Sequence, residues 1–156
     1  MEFKDDKYYI NKAIELAWKA KENGDNPFGS ILVDENGKIV MEDKNTQITE
    51  NDITGHPELK IAKRAAAKYD KEFLKKFTMY NSAEPCTMCT GAIYWSGIGR
   101  IVFGISKARL NELKDDEDGS INYSIHELLN NSGKEFKVTG PMDGMKDEVE
   151  KPHKKD

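Results

Sequence analysis

The stretch FTMYNSAEPCTMCTGAIYWSGIGRIVFGI, residues 77–105, places two short apolar runs on either side of a segment rich in small residues. FTMYNS and RIVFGI have the length and apolar character of buried strands. CTMCTGAIYWSG, between them, predicts a helix of two to three turns that ends at Gly97. Strands that alternate with helices are typical of an α/β fold with a partly parallel sheet.

The same alternation extends over the rest of the chain. PFGSILVDENGKIVMEDKN predicts two strands joined at Glu35–Gly37, and a helix opens at Pro57. KARLNELK and SIHELLNN predict short helices, and KEFKVTG predicts a last strand. A first helix is indicated by five apolar residues at amphipathic spacing: Ile10, Ala13, Ile14, Ala17 and Trp18. The sequence therefore predicts a three-layer α/β/α sandwich with a central mixed sheet of about five strands.

No internal repeat and no Pro/Gly/Ser-rich linker divides the 156 residues. This favours a single domain over residues 1–156, with its core at about 8–141. Residues 142–156 are strongly charged, and we expect them to form a frayed tail.

The composition of the chain disfavours several classes of protein. The formal net charge of −4 disfavours broad binding to a nucleic-acid backbone. No run approaches the ~20 apolar residues of a membrane-spanning helix. Two cysteines are too few for a secreted disulfide scaffold of this size, so a cytoplasmic location is expected.

Those two cysteines, Cys86 and Cys89, follow Pro85 at the predicted start of a helix. Three residues apart, they lie about one turn from each other, so both sulfurs can face one point. The positive end of a helix favours thiolates, and a thiolate pair is a good half-site for zinc. A redox dithiol and a buried pair of small residues are the alternatives at this stage.

His56 lies between Gly55 and Pro57, and proline is well placed as the first residue of a helix. His56 would then cap the helix while Glu58 lies in its first turn, which lets both side chains point into one site. One histidine and two cysteines make three zinc ligands and leave a fourth position for water, the pattern of a catalytic site.

His126 or His153 could instead close the site with a fourth protein ligand, which would make it structural. If the site is open, Glu58 can accept the proton of a zinc-bound water and deliver protons to a ring nitrogen and a leaving amine. That chemistry is hydrolytic deamination of an amino-substituted heterocycle.

The sequence resembles a known superfamily at these motifs. His-x-Glu at 56–58 followed by Pro-Cys-x-x-Cys at 85–89 resembles the signature of the zinc-dependent cytidine-deaminase-like enzymes. PFGSILV, NDITGHPE and EPCTMCTGAIYW are most similar to the branch that contains guanine deaminases and tRNA adenosine deaminases. The resemblance implies one Zn²⁺ per chain, bound by His56, Cys86 and Cys89, with Glu58 as the catalytic acid and base.

The resemblance also implies a substrate pocket. Asn45 stands where the branch has an asparagine that contacts the base, and Phe28 and Trp95 match positions that line the pocket. Asp115–Asp118 falls where the guanine enzymes carry a substrate-binding acid. One departure is Pro57, where the family usually has alanine; because proline suits a first helical position, we expect the site to form.

These features favour a zinc-dependent deaminase of a nucleobase or nucleoside, with guanine as the preferred substrate. The second hypothesis is a tRNA adenosine deaminase, which the GAIYW motif and the acidic net charge disfavour. The third is a cytosine or nucleoside deaminase. Two hypotheses from other classes of protein are a thiol–disulfide oxidoreductase and a zinc-stabilised binding module. Members of this superfamily assemble through helices that border the site, so the resemblance also implies a homodimer.

Overall fold

The computed structural model describes residues 3–114 and 121–154, and its elements alternate as the sequence predicts. The strands are β1 Gly29–Val33, β2 Ile39–Lys44, β3 Thr78–Ala83, β4 Arg100–Ile105 and β5 Lys137–Thr139. The helices are α1 Asp6–Glu22, α2 Pro57–Lys68, α3 Lys71–Leu74, α4 Thr87–Ser96, α5 Lys107–Lys114, α6 Ile125–Asn130 and α7 Lys146–Glu150, followed by a 3₁₀ helix at Lys151–His153. The four-residue helix α3 is too short for periodicity to reveal it.

The five strands form one mixed sheet in the order β2-β1-β3-β4-β5. The hairpin β1–β2 and the pair β1–β3 are antiparallel, whereas β3, β4 and β5 run parallel. Antiparallel pairing places the start of β1 and the end of β2 at the same sheet edge as the carboxyl ends of β3 and β4. The predicted mixed sheet is confirmed, and this edge is where the residues of the site are found.

Helices cover both faces of the sheet, which confirms the three layers. One face packs against α1, α5 and α7, and its buried core includes Ile14, Ile31 and Val102. The other face packs against α2, α4 and α6, and its core includes Leu32, Ile61 and Ile93. Neighbouring residues of β1 alternate between the two cores, as side chains on a strand must.

Gly29 shows why helix α1 can lie so close to the sheet. A Cβ atom at this position would overlap the carbonyl oxygen of Ala13 and the side chain of Leu16. The glycine of the PFG motif is therefore required by packing, independently of any role in a site.

The expectation of a frayed tail is wrong. Residues 146–153 form α7 and the 3₁₀ helix, and Met145 and Val149 bury all but 3% and 5% of their surfaces in the core beneath α1. The reason is a sparse apolar pattern that the charged composition conceals. Met145, Val149 and Pro152 recur at i, i+4 and i+7, the spacing of one helix face.

Among the described residues, no helix is both long and apolar enough to span a bilayer. The acidic loop Asp115–Asp118, predicted to approach the substrate, lies outside the described residues.

Candidate zinc and catalytic site

The N-termini of α2 and α4 meet at the sheet edge formed by the start of β1 and the carboxyl ends of β3 and β4, which is the site edge of the sheet. His56 is the N-cap of α2 and Cys86 is the N-cap of α4, both with extended backbone, and the two helices pack against each other. Pro57 is the first residue of α2, so the proline that replaces the usual alanine is compatible with the helix. The positive ends of two helices thus face the space in which the ligands meet.

The ligand atoms of His56, Cys86 and Cys89 have the separations that zinc requires. The two Sγ atoms are 3.5 Å apart, and His56 Nδ1 lies 3.8 Å from Cys86 Sγ and 3.4 Å from Cys89 Sγ. Tetrahedral zinc, with Zn–S near ~2.3 Å and Zn–N near ~2.0 Å, needs an S–S distance of about 3.8 Å and S–N distances of about 3.5 Å. The three residues therefore fit one zinc ion with little movement.

Of the three ligands, Cys86 is the one whose electrostatics already favour a cation. The pKa of Cys86 is lowered to about 4, because the thiol of Cys89 and the ring of His56 hydrogen-bond to its thiolate. The pKa of Cys89 is raised, since Cys89 donates that hydrogen bond and is buried. The hydrogen bond with Cys86 also raises the pKa of His56. A bound cation would displace the protons that remain on the second thiol and on the ring.

Glu58 lies in the first turn of α2 and is 6% exposed. Burial raises the pKa of its carboxyl to about 7, and the charge of the Cys86 thiolate adds to the rise, while His56 and Cys89 oppose it. Its Oε1 is buried and has no hydrogen-bond partner. An acid with these properties can take up and release protons near neutral pH.

Asn45 follows β2 directly and is 1% exposed. Its Oδ1 accepts a hydrogen bond from the backbone N–H of Gln47 (2.9 Å), which fixes the amide, while its buried Nδ2 has no partner. The backbone N–H of Asn45 donates to the carbonyl of Phe28 (3.0 Å). The structure thus brings Phe28 and Asn45 together at the site edge.

Trp95 lies apart from this group. It is on the outward face of α4 with 71% of its surface exposed, whereas Cys89 and Ile93 form the buried face of the same helix. Its ring contacts that of Tyr94 at a centroid distance of 5.0 Å. Within one chain Trp95 does not enclose a pocket, so its predicted contact with a base stays a prediction.

Neither remaining histidine joins the ligands. Among the described residues, the group of metal-ligating side chains is His56, Cys86 and Cys89. His126 lies at the surface, where its Nε2 is 3.1 Å from the carbonyl oxygen of Gly140. His153 packs its ring against Phe28 at a centroid distance of 5.3 Å. The three-ligand arrangement of a catalytic site is therefore favoured over a closed structural one.

Sequence reasoning missed two residues near the site. The buried carboxylate of Glu84 accepts hydrogen bonds from the backbone N–H groups of Lys107 (3.1 Å) and Ile125 (2.8 Å), which ties the cysteine turn to α5 and α6. The sequence signal that could have identified Glu84 is its position directly before Pro85 and Cys86. The other is His153, which only the packed tail brings to this edge.

Comparison with known proteins identifies the family. The profile described as "Cytidine and deoxycytidylate deaminase zinc-binding region" matches residues 3–105. A probable cytosine deaminase of Schizosaccharomyces pombe is 37% identical over 148 residues, covering 94% of this chain and 88% of the relative. A tRNA-specific adenosine deaminase of Haemophilus influenzae is 44% identical over 102 residues, 65% of this chain and 58% of the relative. The solved guanine deaminase of Nitrosomonas europaea shares the fold with a TM-score of 0.77 at 20% identity, over 98% of this chain and 87% of that one.

The matched region contains all of the ligand motifs, including His56 and Cys86–Cys89. The family is a zinc-binding one, which agrees with the fit of these side chains to a zinc ion. The predicted enzyme class and the predicted cofactor are thus confirmed together. The chain belongs to the cytidine and deoxycytidylate deaminase zinc-binding family.

Proposed function

We propose that this protein hydrolyses the exocyclic amine of a free nucleobase, with His56, Cys86 and Cys89 as zinc ligands and Glu58 as the proton carrier. One observation carries the proposal: a buried carboxylate with an unpartnered oxygen lies beside three ligand atoms at zinc-binding separations. The reaction replaces a C–N bond by a C–O bond and releases ammonia.

Zinc at these ligands would supply a Lewis acid that brings the pKa of a water molecule toward neutrality. Glu58 would accept one proton from the attacking water and pass it to the adjacent ring nitrogen. It would then take the remaining proton from the hydroxyl group added to the ring carbon and pass it to the amine, which departs as ammonia. Burial raises the pKa of the Glu58 carboxyl, and this favours the uptake of a proton from water.

Asn45 orients the base. Because Gln47 occupies its oxygen, the amide offers its N–H₂ group, a hydrogen-bond donor. A ring nitrogen or carbonyl of a nucleobase can accept that bond. Phe28, half-buried at the same edge, would supply an apolar wall.

Two bases are the leading candidates. The relative that spans 94% of the chain is a probable cytosine deaminase, and this favours cytosine. The motifs PFG and GAIYW favour guanine, but a structural match at 20% identity supports the fold alone. We therefore place cytosine first and guanine second. A tRNA adenosine is the third candidate, because the match to the tRNA-specific relative covers 65% of the chain.

A homodimer is part of the proposal. Helix α4 presents Met88, 38% exposed, and Trp95, 71% exposed, on one outward face. Gly91 lies between them with open space around it. Large apolar side chains that share an exposed helix face are typical of a surface covered by a partner. A second copy of the chain is the partner that we propose.

The test measures ammonia released from cytosine, guanine, their nucleosides, adenine, adenosine and a tRNA anticodon stem-loop. We expect free cytosine or guanine to react fastest, with a weak dependence on salt, because these substrates carry no phosphate. Chelation should abolish the activity, and added Zn²⁺ should restore it. Fast, strongly salt-sensitive inosine formation in the stem-loop, with both bases inert, would replace the proposal by tRNA deamination.

A further inference from the structure

The ammonium group of Lys60 lies against the segment that carries Asn45. Its Nζ donates one hydrogen bond to the carbonyl oxygen of Lys44 (2.9 Å) and another to the hydroxyl oxygen of Thr46 (3.0 Å). A third contact, at 3.0 Å, is an ion pair with Oδ1 of Asp43. An ammonium group has three N–H donors, so these partners use all of them. Lys60 therefore contacts the residues on both sides of Asn45.

Lys60 belongs to α2, the helix that begins at the predicted zinc ligand His56. Its backbone N–H donates to the carbonyl oxygen of His56 (3.1 Å), so the ammonium group joins the first turn of α2 to the end of β2. A second contact joins the same two places, because the backbone N–H of Thr46 donates to the carbonyl oxygen of Gly55 (2.9 Å), the residue before His56. The segment that holds Asn45 is thus attached to the start of α2 by its backbone and by Lys60.

The orientation of the Asn45 amide depends on this attachment. Its Oδ1 accepts a hydrogen bond from the backbone N–H of Gln47 (2.9 Å), so the amide follows the backbone of residues 45–47. Its Nδ2 is buried and has no partner in the described part of the chain. A donor that is free to meet a substrate gains from rigid surroundings, because no reorganisation is then needed when the substrate binds.

Arg64, one turn further along α2, provides a contrast. Its Nη2 lies 3.2 Å from Oδ2 of Asp43 and 3.4 Å from the carbonyl oxygen of Glu42, and half of its side chain is exposed. The side chain of Lys60 is only 25% exposed. Two cations of one helix therefore share the carboxylate of Asp43. Of the two, Lys60 is the one that contacts the neighbours of Asn45.

We infer that Lys60 is a positioning residue, whose ammonium group fixes the amide of Asn45 relative to the zinc ligand His56. The inference rests on the proposed function and adds to it, since the orientation of the base then depends on a residue outside the pocket. The donors of Lys60 are used by the protein itself, so Lys60 acts through Asn45.

The test is a double-mutant cycle of Lys60→Met and Asn45→Ala in the zinc-loaded protein. Methionine keeps an unbranched apolar stem and removes the charge and the donors. We expect kcat/KM for the preferred base to fall about three- to tenfold in Lys60→Met, with zinc content unaltered. In the Asn45→Ala background the same change should have no further effect, because the amide that Lys60 positions is absent. Equal losses in both backgrounds would show a merely structural role and overturn the inference.

Two further variants sharpen this comparison. Arg64→Met removes the other cation that pairs with Asp43, and it should leave kcat/KM within about twofold of the wild-type value. Thr46→Val keeps the shape of the side chain but removes one acceptor of the Lys60 ammonium group, so kcat/KM should fall here too. This variant replaces Lys60→Met in the cycle if Lys60→Met fails to fold. An equal loss in Arg64→Met would assign the effect to the charge around Asp43 and overturn the inference.

A measurement without substrate separates this inference from the proposed function. The side-chain ¹H–¹⁵N amide signals of Asn45, assigned from Asn45→Ala, are recorded in the zinc-loaded wild type, Lys60→Met and Arg64→Met. We expect them to shift or broaden in Lys60→Met and to stay unchanged in Arg64→Met. Unchanged signals in Lys60→Met would overturn the inference and leave the deaminase proposal intact. If the wild-type protein deaminates no base while the signals respond as expected, the proposed function fails and the positioning of Asn45 by Lys60 stands.

Discussion

Glu58 derives its chemistry from its place at the start of α2. Two residues after the capping His56, it is close enough to the zinc ligands to interact with their charges, and it is 6% exposed. In a regular helix, side chains two residues apart diverge by ~200°. The extended backbone of the cap removes that divergence, and this allows a ligand and an acid to share one site.

Glu58→Gln should retain the fold and the zinc but lose most of the turnover. The amide has nearly the same volume, yet it cannot accept a proton from water. General acid–base catalysis contributes ~10²–10⁴-fold, so a loss of kcat in that range is expected. Steady-state kinetics and metal analysis check it, with Glu112→Gln on the exposed side of α5 as the matched control. A near-wild-type kcat in Glu58→Gln would exclude Glu58 as the proton carrier.

His153 should make stability depend on pH. Its pKa is about 4 in the folded protein and 6.5 ordinarily, so between these values the unfolded chain binds more protons. Stability therefore falls as pH decreases from about 6.5 to about 4, by up to about 3 kcal/mol from this residue. The free energy of unfolding, measured in urea for wild type and His153→Phe, should depend less steeply on pH in the variant over this range. Equal slopes would mean that His153 is not buried in its neutral form.

At the scale of elements, the contacts of α1 and of the C-terminal helices decide the shape of the site edge. Helix α1 packs directly over Gly29 at the beginning of β1. Helix α7 reaches the end of β4 from the same side and carries the 3₁₀ helix to Phe28. Each arrangement leads to a prediction about a single contact.

Two glycine substitutions should have opposite effects on stability. Gly29→Ala introduces a Cβ atom that overlaps the backbone of α1, so we expect a loss of about 1–3 kcal/mol or more. Within a single chain, nothing lies within 4 Å of a Cβ atom added at Gly91 on α4. Made together with Trp95→Lys, so that no second copy covers this face, Gly91→Ala should stabilise the helix by about 0.5–1 kcal/mol. The denaturant midpoints of the two variants test both changes in the free energy of unfolding. An unchanged midpoint for Gly29→Ala would show that α1 is free to shift.

The ion pair between Arg109 and Glu150 should hold the tail on the domain. Arg109→Gln removes the charge that lowers the pKa of Glu150 and leaves its carboxylate with weaker partners. We expect faster cleavage after residue 145 in limited proteolysis. Arg64→Gln, which breaks the exposed pair with Asp43, is the matched control. Equal cleavage in both variants would assign the docking of the tail to Val149 and Met145 alone.

For the whole molecule, the proposed dimer depends on the outward face of α4. Replacing Trp95, the most exposed aromatic residue on that face, by lysine puts a charge where a partner would pack. Light scattering should then give half of the wild-type mass, with the chain still folded. Phe73→Lys, at an exposed aromatic residue on α3, should leave the mass unchanged. A monomeric wild-type protein would remove the dimer from the proposal.

The sequence by itself determined most of the elements and the cysteine pair, because both depend on local spacing. The hairpin at Glu35–Gly37, the start of α2 at Pro57 and the end of α4 at Gly97 follow from turn and capping chemistry. Cys86 and Cys89 lie one turn apart on a single helix, so their convergence needed no knowledge of the fold. That His56 joins them was expected from the residue types and from the family motif, but their contact depends on the packing of α2 against α4.

Only the tertiary structure decided where the exposed and terminal residues lie. Trp95 has an aromatic ring suited to a pocket, but the rotation of α4 about its axis turns the ring outward. The charged tail was expected to fray, yet three apolar residues and one ion pair bind it to the sheet edge. The physical reason is the same in both cases. Burial depends on packing between elements that are distant in sequence, and the composition of a segment contains no information about that packing. His153 likewise lies beside Phe28 only because the fold packs the tail there.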